Sequence, residues 1–254
     1  MSKHNLLYSI IGLLVGFIIG FTFANQTNRG PAGQPRPADA HARSAQTQTG
    51  QTDTRNAPQA NAPNSPTEAE IRDAIAKADA RADDVALQRN FGMVLYRYAN
   101  QTRNAALLPD VARMLKRAYD ANPKDRELAV SLGNVLFDIG QASDPARFAE
   151  AREYYAKALE IKPDDANVRT DLGLTYYFGQ PSDPQRAIAE YRKSLAIDAR
   201  HEPTLQNLAA ALMTVGRTDE AQKTIDQLSI LNPSNPALSD LRAQMAQSRN
   251  KTQE

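Results

Sequence analysis

Two fixed spacings recur along the 254-residue chain and constrain its fold more than any other feature. In each of four units, a small or β-branched residue lies 12 positions before a turn position. These pairs are Val111 and Pro123, Ala151 and Pro163, Ala187 and Ala199, and Ala221 and Pro233. Each of the first three turn positions lies 9 positions before the leucine of the next unit, namely Leu132, Leu172 and Leu208. Two constant distances in four copies indicate an internal repeat.

The third unit shows the residue pattern most clearly. Leu172-Gly173 is followed by Tyr176, and Ala187 is followed four positions later by Tyr191. Large and small residues alternate in this way where two helices interlock. The pattern resembles the tetratricopeptide repeat, a helix–turn–helix unit. That resemblance implies an all-α fold, with a domain at 83–233 that forms a right-handed superhelix of about four repeats near 84–123, 125–163, 165–199 and 202–233.

A third distance, from the apolar anchor of the first helix to the small residue of the second, changes along the chain. It is longest between Phe91 and Val111 and becomes shorter in each later unit, down to Leu208 and Ala221. We expect the extra residues of the early units to form protruding loops at 100–106 and 140–144. Asp144-Pro145 and Asp183-Pro184 each combine a capping residue with proline at a first helical position. A second helix is therefore expected to begin at each of these sites, with nearly one extra turn in the second unit.

A helix is predicted on each side of the repeats. Ser65-Pro66-Thr67-Glu68 is typical of a helix start and predicts a capping helix over 65–82. Asn235-Pro236 predicts another over 234–249, with Leu238, Leu241 and Met245 on one face. Terminal repeats need such helices because they would otherwise leave an apolar surface in water.

The N-terminus predicts a membrane anchor. After a flank at 1–5, the run at 6–24 contains no charged residue. As a helix it would be about 28 Å long, close to the ~30 Å hydrocarbon core of a bilayer. The alternative is a cleaved signal peptide. Resemblance to anchored bacterial repeat proteins implies a single-pass protein of the bacterial cytoplasmic (inner) membrane, with the repeats on the periplasmic side.

Three glycines, Gly12, Gly16 and Gly20, lie on one face of that predicted helix. Small residues allow two membrane helices to approach closely, so this face predicts self-association. The alternative is that glycine is simply common in membrane helices.

The segment at 25–64 contains no Leu, Ile, Val, Met or aromatic residue. Such a segment has nothing to bury and is predicted to be a disordered linker.

Composition narrows the chemistry of the protein. There is no Cys, which excludes disulfides and thiol chemistry. Only one of the three histidines, His201, falls within the repeats, so no metal site is expected. Residues 67–254 hold 25 basic and 27 acidic residues, a balance that does not favour nucleic-acid binding. No nucleophile–base pair or phosphate-binding loop is present, so we expect neither an enzyme nor a cofactor.

The tetratricopeptide resemblance implies a concave groove lined by the first helices. At the positions that line it in the family stand Arg89, Asn90, Met93, Tyr96, Arg97, Val130, Asn134, Phe137, Asn167, Thr170, Asp171, Leu174, Tyr177, Gln206, Asn207 and Ala210. The Lys-x3-Asn pair of members that clamp a peptide carboxylate is absent. Exposed polar residues contribute little to stability, so Ala at Asn134 and Asn207 is expected to cost within about 0.5 kcal/mol.

These features together predict a membrane-tethered adaptor that binds a protein or peptide segment in its groove. The order of anchor, linker and repeats resembles bacterial accessory proteins such as those of cytochrome c biogenesis, which implies a role in assembling an envelope protein complex. The alternative is a structural scaffold that assembles through its convex face and its turns. An enzyme with an unrecognised site is a third, less favoured interpretation.

Overall fold

The computed structural model describes residues 66–251 and contains only helices and connecting turns over that range. The flank at 1–5, the predicted membrane helix at 6–24 with Gly12, Gly16 and Gly20, and the linker at 25–64 lie outside the described residues. Between residues 66 and 251, no helix combines the length and apolar character needed to cross a membrane.

Ten α-helices follow one another along the described chain. They are α1 (Glu68–Asp79), α2 (Val85–Thr102), α3 (Leu108–Ala121), α4 (Arg126–Ala142), α5 (Arg147–Ile161), α6 (Ala166–Phe178), α7 (Pro184–Ile197), α8 (Glu202–Thr214), α9 (Thr218–Leu231) and α10 (Ala237–Lys251). A short 3₁₀ helix, Ala105–Leu107, precedes α3. The four helix pairs from α2 to α9 correspond to the four predicted repeats.

The pairs stack in chain order into a solenoid. Each first helix packs against the second helix of its own pair, and each second helix packs against the first helix of the next pair. The first helices α2, α4, α6 and α8 also contact one another in succession. Helices that touch across neighbouring repeats lie on the inner side of the stack, so these four helices line the concave surface.

Glycines at the crossing of the first three helix pairs allow the close approach. A Cβ added to Gly133 would lie 2.7 Å from Cδ1 of Tyr155, and one added to Gly173 would lie 2.8 Å from Cδ1 of Tyr191. Both tyrosines are fully buried. In the last pair, Ala209 occupies the glycine position and Ile225 occupies the tyrosine position. The residue opposite is smaller there, so a methyl group is accommodated.

The variable spacing between paired helices has a different origin from the one predicted. α2 and α4 continue for about three helical turns beyond their apolar anchors, Phe91 and Leu132, whereas α6 and α8 end less than about two turns beyond theirs. The prediction of protruding loops at 100–106 and 140–144 was therefore wrong for six of these twelve residues, 100–102 and 140–142. They lengthen the first helices instead, because the apolar spacing still offers Ala99 and Ile139 to the core.

Helix starts follow side-chain capping, with two shifts from the prediction. Asp183 caps α7 at Pro184 as expected, accepting from the Arg186 backbone N–H at 3.0 Å. The second helix of the second repeat, α5, begins at Arg147 rather than at residue 145, since Asp144 and Pro145 form a preceding turn. It therefore gains no extra turn at its start.

The first capping helix also begins later than predicted. Thr67, not Ser65, is the N-cap of α1 and forms a reciprocal capping box with Glu70. The Thr67 backbone N–H donates to Glu70 Oε2 at 2.8 Å, so two terminal donors are satisfied together. The fully buried Gln88 joins α1 to the first repeat, with its amide donating to the Ala78 carbonyl at 2.7 Å. At the other end, α10 buries Leu238, Leu241 and Met245, as predicted.

Candidate functional site: a pocket on the concave surface

A pocket of about 520 Å³ opens on the concave surface between α2, α4 and α6. Its lining residues are Met93, Tyr96, Arg97, Asn100, Gln101, Ser131, Asn134, Phe137, Asp138, Gln141, Tyr155, Asp171, Leu174 and Phe178. All but Tyr155 come from the three first helices. Tyr155 reaches the pocket from α5 across Gly133, so the absence of a side chain at Gly133 also shapes the floor.

The lengthened first helices build one end of this pocket. Gln101 lies in the last turn of α2 and Gln141 lies in the last turn of α4, both beyond the usual end of a repeat helix. On α4, Asn134, Asp138 and Gln141 follow at i, i+4 and i+7, which places them on one helix face. The longer distance between the paired helices in the first two repeats thus extends the groove.

Aromatic rings form much of the wall. Phe137 meets Phe178 edge to face with ring centroids 6.2 Å apart, and it meets Phe148 at 5.2 Å. Two tyrosine hydroxyls are held by polar partners on α4. The Tyr96 hydroxyl donates to Asp138 Oδ2 at 2.8 Å, and the Tyr155 hydroxyl donates to Asn134 Oδ1 at 2.9 Å. These bonds fix both rings. Tyr155 is fully buried, so of these two rings it is the half-buried Tyr96 that leaves apolar surface toward the pocket.

Asp171 places a carboxyl group in the pocket without a partner. Its relative exposure is 9%, and no described residue between 66 and 251 forms a hydrogen bond or an ion pair with it. Burial raises the pKa of Asp171 to about 7, and the nearby carboxylates of Asp165 and Asp138 add to this rise. An isolated buried carboxylate is costly because nothing replaces its lost hydration.

The amide of Gln101 is also incompletely paired. Its Oε1 atom is buried and has no hydrogen-bond donor within the described part of the chain. Buried polar atoms in folded proteins nearly always have a partner, so each exception calls for an explanation. The pocket therefore contains two acceptors, one on α2 and one on α6, for which residues 66–251 supply no donor.

The structure brings together seven of the sixteen residues that were predicted to line the groove. Met93, Arg97, Asn134, Phe137 and Asp171 all line the pocket. Tyr96 and Leu174, which also stand at predicted lining positions, line it as well.

The other predicted site residues lie elsewhere, and several are bound to neighbours within the chain. Arg89 pairs with Glu127 and with Asp125, and Asn90 is exposed. Asn167 Oδ1 is 2.8 Å from Nε2 of His201. Tyr177 reaches the Thr214 hydroxyl, and Gln206 donates to Asn235 Oδ1 at 2.9 Å. Asn207 is half-buried on α8. None of these six lines the pocket.

Thr170 was wrongly placed in the groove. It is 2% exposed and lies in a hydroxyl cluster between α6, α7 and α8. Its Oγ1 is 3.0 Å from the Ser194 hydroxyl and 2.6 Å from the Thr204 hydroxyl. A threonine can occupy this core position because its hydroxyl finds partners there, and sequence alone does not distinguish it from a surface threonine.

The expected small cost of replacing Asn134 does not agree with its environment. Asn134 Oδ1 accepts the hydrogen bond of Tyr155, whose side chain is 1% exposed. Alanine at residue 134 would leave that hydroxyl without this acceptor, and an unsatisfied buried group costs about 1–3 kcal/mol. Asn134 therefore supports the fold as well as lining the pocket, so it is unsuitable as a purely functional probe.

Sequence reasoning missed seven lining residues. They are Asn100, Gln101, Ser131, Asp138, Gln141, Tyr155 and Phe178. Four of them continue the predicted face by helical spacing: Gln101 follows Arg97, Asp138 follows Asn134, Gln141 follows Asp138, and Phe178 follows Leu174. The family positions end where an ordinary repeat helix ends, so the two glutamines could be predicted only by knowing that the first helices are longer.

Over residues 66–251, no three His, Asp or Glu side chains cluster as a metal site would require.

Comparison with known proteins agrees with this architecture. A tetratricopeptide-repeat family model matches residues 180–245, and a second such model matches residues 146–165. The chain carries tetratricopeptide repeats. Repeats of this kind stack into solenoids that present extended concave binding surfaces. No curated protein sequence matches this chain.

Two solved structures share the fold of this chain. MamA is 19% identical, with a TM-score of 0.52 over 65% of this chain and 91% of the MamA chain. YrrB, described as a tetratricopeptide-repeat protein with an unusual peptide-binding site, is 16% identical. Its TM-score is 0.54 over 69% of this chain and 84% of its own. At these identities the likeness concerns the fold alone.

Proposed function

We propose that this protein is an adaptor whose concave pocket binds an extended segment of a partner protein. The observation that carries the proposal is the pocket between α2, α4 and α6, where Asp171 and Gln101 offer acceptors that residues 66–251 leave without donors. An extended segment presents backbone N–H groups and side-chain donors of this kind. The aromatic walls add apolar surface for side chains next to those donors.

The wider setting of the pocket supports the same function. Tetratricopeptide repeats are interaction scaffolds, and YrrB, which shares the fold, is described as having a peptide-binding site. The pocket crosses the first helices of three repeats, so a segment bound there would contact several repeats together. Such a contact suits a linear segment better than a small compact ligand.

The proposal predicts that exposed groove side chains govern binding and contribute little to stability. The full-length protein in detergent micelles would be used to select binders from a library of random short peptides. The double variant Arg97→Ala with Gln141→Ala removes two exposed lining residues. We expect it to weaken the selected peptide at least about tenfold, which is about 1.4 kcal/mol. Thermal unfolding should change little, because exposed substitutions cost within about 0.5 kcal/mol each.

The matched control is Lys223→Ala with Gln227→Ala, two exposed residues on the second helix α9. This control should bind the peptide as the parent does. Equal weakening in both double variants, or no weakening in the groove variant, would contradict the groove proposal and favour a scaffold that assembles through its convex face.

We further propose that the N-terminal run at 6–24 anchors the protein in the bacterial inner membrane. The support comes from the sequence: this run carries no charge, and the following segment at 25–64 has the composition of a tether. The adaptor would then act near the membrane surface on the periplasmic side. A flexible segment of ~40 residues has a root-mean-square span of about 35 Å, which sets the region the pocket can sample.

The anchor predicts a mature protein that retains its first residues and stays with the membrane pellet after carbonate extraction. Intact-mass spectrometry of the protein purified from bacterial membranes would measure the first point. A mature chain that begins at Asn25 would indicate cleavage after residue 24 and exclude the anchor. A variant with Leu13→Arg and Ile18→Arg serves as a control, because a charge near the middle of a membrane helix costs about 2.5–3.5 kcal/mol. That variant should move to the soluble fraction.

A further inference from the structure

The polar chemistry of the pocket is unbalanced in favour of acceptors. Asp171 and Gln101 Oε1 are buried at its surface, and neither has a donor in the described chain. Asp138 adds a second carboxylate, which already accepts from the Tyr96 hydroxyl. A ligand that completes this set must bring N–H or O–H donors, since another acceptor would leave Asp171 and Gln101 Oε1 unsatisfied.

The charge of the pocket points to a cation. Asp138 and Asp165 both disfavour ionisation of Asp171, so the carboxylates repel one another in the free protein. A positive group in the pocket beside Asp171 and Asp138, the two carboxyl groups that line it, would reverse the sign of that interaction. The one basic side chain in the lining is Arg97, which is exposed.

The walls suit the same kind of ligand. Tyr96, Phe137 and Phe178 line the same pocket as Asp138 and Asp171. A cation over an aromatic face is attracted by the ring quadrupole, and arginine forms this contact more often than lysine. The chain already uses this contact on its own surface, where Arg152 stacks over the ring of Tyr176 with 4.1 Å between the guanidinium carbon and the ring centroid.

We propose that this pocket receives an arginine side chain of the bound segment, with Asp171 and Gln101 as hydrogen-bond acceptors and the aromatic rings as walls. The inference rests on the proposed adaptor function and names the chemistry that its site recognises. Arginine fits better than lysine because its planar guanidinium carries five N–H donors in a fixed geometry and is weakly hydrated. Its several N–H donors can serve carboxylate and amide acceptors alike.

Small probes test this without any selected peptide. N-acetyl-arginine amide carries the guanidinium, and N-acetyl-citrulline amide is its neutral analogue of nearly the same shape. Each would be titrated into the full-length protein in micelles, and the side-chain carboxyl ¹³C signals of the aspartates would be followed by NMR. We expect the arginine probe to bind at least tenfold more tightly than the citrulline probe and to shift the Asp171 signal.

The variant Asp171→Asn should lose the preference for arginine. It removes the charge with almost no change of shape, and the unpaired carboxylate leaves no hydrogen bond to break. The control Asp120→Asn removes an exposed carboxylate on α3, which pairs with Lys116, and should keep the preference. Equal affinity of the parent for both probes, or an unchanged preference in Asp171→Asn, would overturn the inference.

The outcomes separate this inference from the adaptor function. If selected peptides bind the groove but the probes do not discriminate, the adaptor function stands and the arginine pocket fails. If the arginine probe binds but no peptide depends on Arg97 and Gln141, the pocket stands and the adaptor function fails.

Discussion

Replacing Asp171 by asparagine should stabilise the protein at pH 8 and leave its stability nearly unchanged at pH 4. Burial raises the pKa of Asp171 from 3.8 to about 7 in the folded protein. That difference in pKa corresponds to a free energy on the order of 4 kcal/mol at high pH. Asparagine has no charge to bury, so the variant avoids this cost. Since few single substitutions stabilise a protein by more than about 2 kcal/mol, the gain in the free energy of unfolding expected for Asp171→Asn at pH 8 is unusually large.

The sign follows from which state binds the proton. Below pH 3.8 Asp171 is protonated in both states and costs nothing. Between pH 3.8 and about 7 the unfolded chain loses this proton while the folded protein keeps it, so the free energy of unfolding falls as the pH rises. Above about pH 7 both states are ionised and the full penalty remains. The effect of Asp171→Asn should therefore grow across this window and then stay constant.

Urea unfolding of the parent and the variant at several pH values between 4 and 8 measures the difference. The titrating groups that interact with Asp171 are Asp138 on α4, Asp165 at the start of α6, Tyr155 on α5 and Tyr191 on α7. The two tyrosines stay neutral over this range because burial raises their pKa values well above the usual one. The control Asp120→Asn should show no such pH-dependent gain. A variant less stable than the parent at pH 8 would show that Asp171 has a stabilising partner.

This expected gain has a functional interpretation. A group that lowers stability in the free protein and raises affinity for a cation is typical of a binding site, where stability is given up for recognition. Asp171→Asn should therefore stabilise the fold and also lose the preference for the arginine probe over the citrulline probe. Opposite effects of one substitution on stability and on binding would distinguish Asp171 from a residue with a structural role.

Replacing Gly173 by alanine should destabilise the protein by about 1 kcal/mol, because an overpacking cost of about 2 kcal/mol exceeds the ~1 kcal/mol that alanine gains over glycine in a helix. The new Cβ would lie 2.8 Å from Cδ1 of Tyr191 and still closer to Cε1. Tyr191 is fully buried at the crossing of α6 and α7, so its ring has no room to move aside. Overpacking of a well-packed core costs about 1–3 kcal/mol, occasionally more. Alanine is about 1 kcal/mol better than glycine in a helix, so only a severe clash gives a net loss.

Thermal and urea unfolding of the Gly173→Ala variant would measure this loss. The matched control is the double variant Gly173→Ala with Tyr191→Ile, which copies the Ala209 and Ile225 combination of the last repeat. The smaller side chain should remove the clash, so the double variant should recover part of the stability lost in the single variant. A single variant as stable as the parent would mean that the two helices separate at little cost. No recovery in the double variant would contradict the pairing of these positions.

The repeat architecture could be predicted from the sequence because it depends on local signals. The glycine–tyrosine pairs, the capping aspartates and the fixed distances around the turns each act within one or two helices. Gly173 with Tyr191 and Asp183 with Pro184 were interpreted correctly for that reason. The position of α1 was the exception, since two capping signals overlap and the reciprocal bonds of Thr67 with Glu70 decide between them.

The extent of the concave pocket and the pairing of its polar groups could not be predicted from the sequence pattern. Whether extra residues form a loop or another helical turn depends on whether their apolar side chains find a core, as Ala99 and Ile139 do. Whether a polar residue on a first helix is available to a ligand depends on its neighbours in space. Thr170 finds hydroxyl partners from two other helices, whereas Asp171, the next residue, finds none. The sequence by itself determined the helices and their order, because these follow from spacing along one chain. Only the tertiary structure decided which acceptors stay unpaired, because that depends on contacts between helices far apart in sequence.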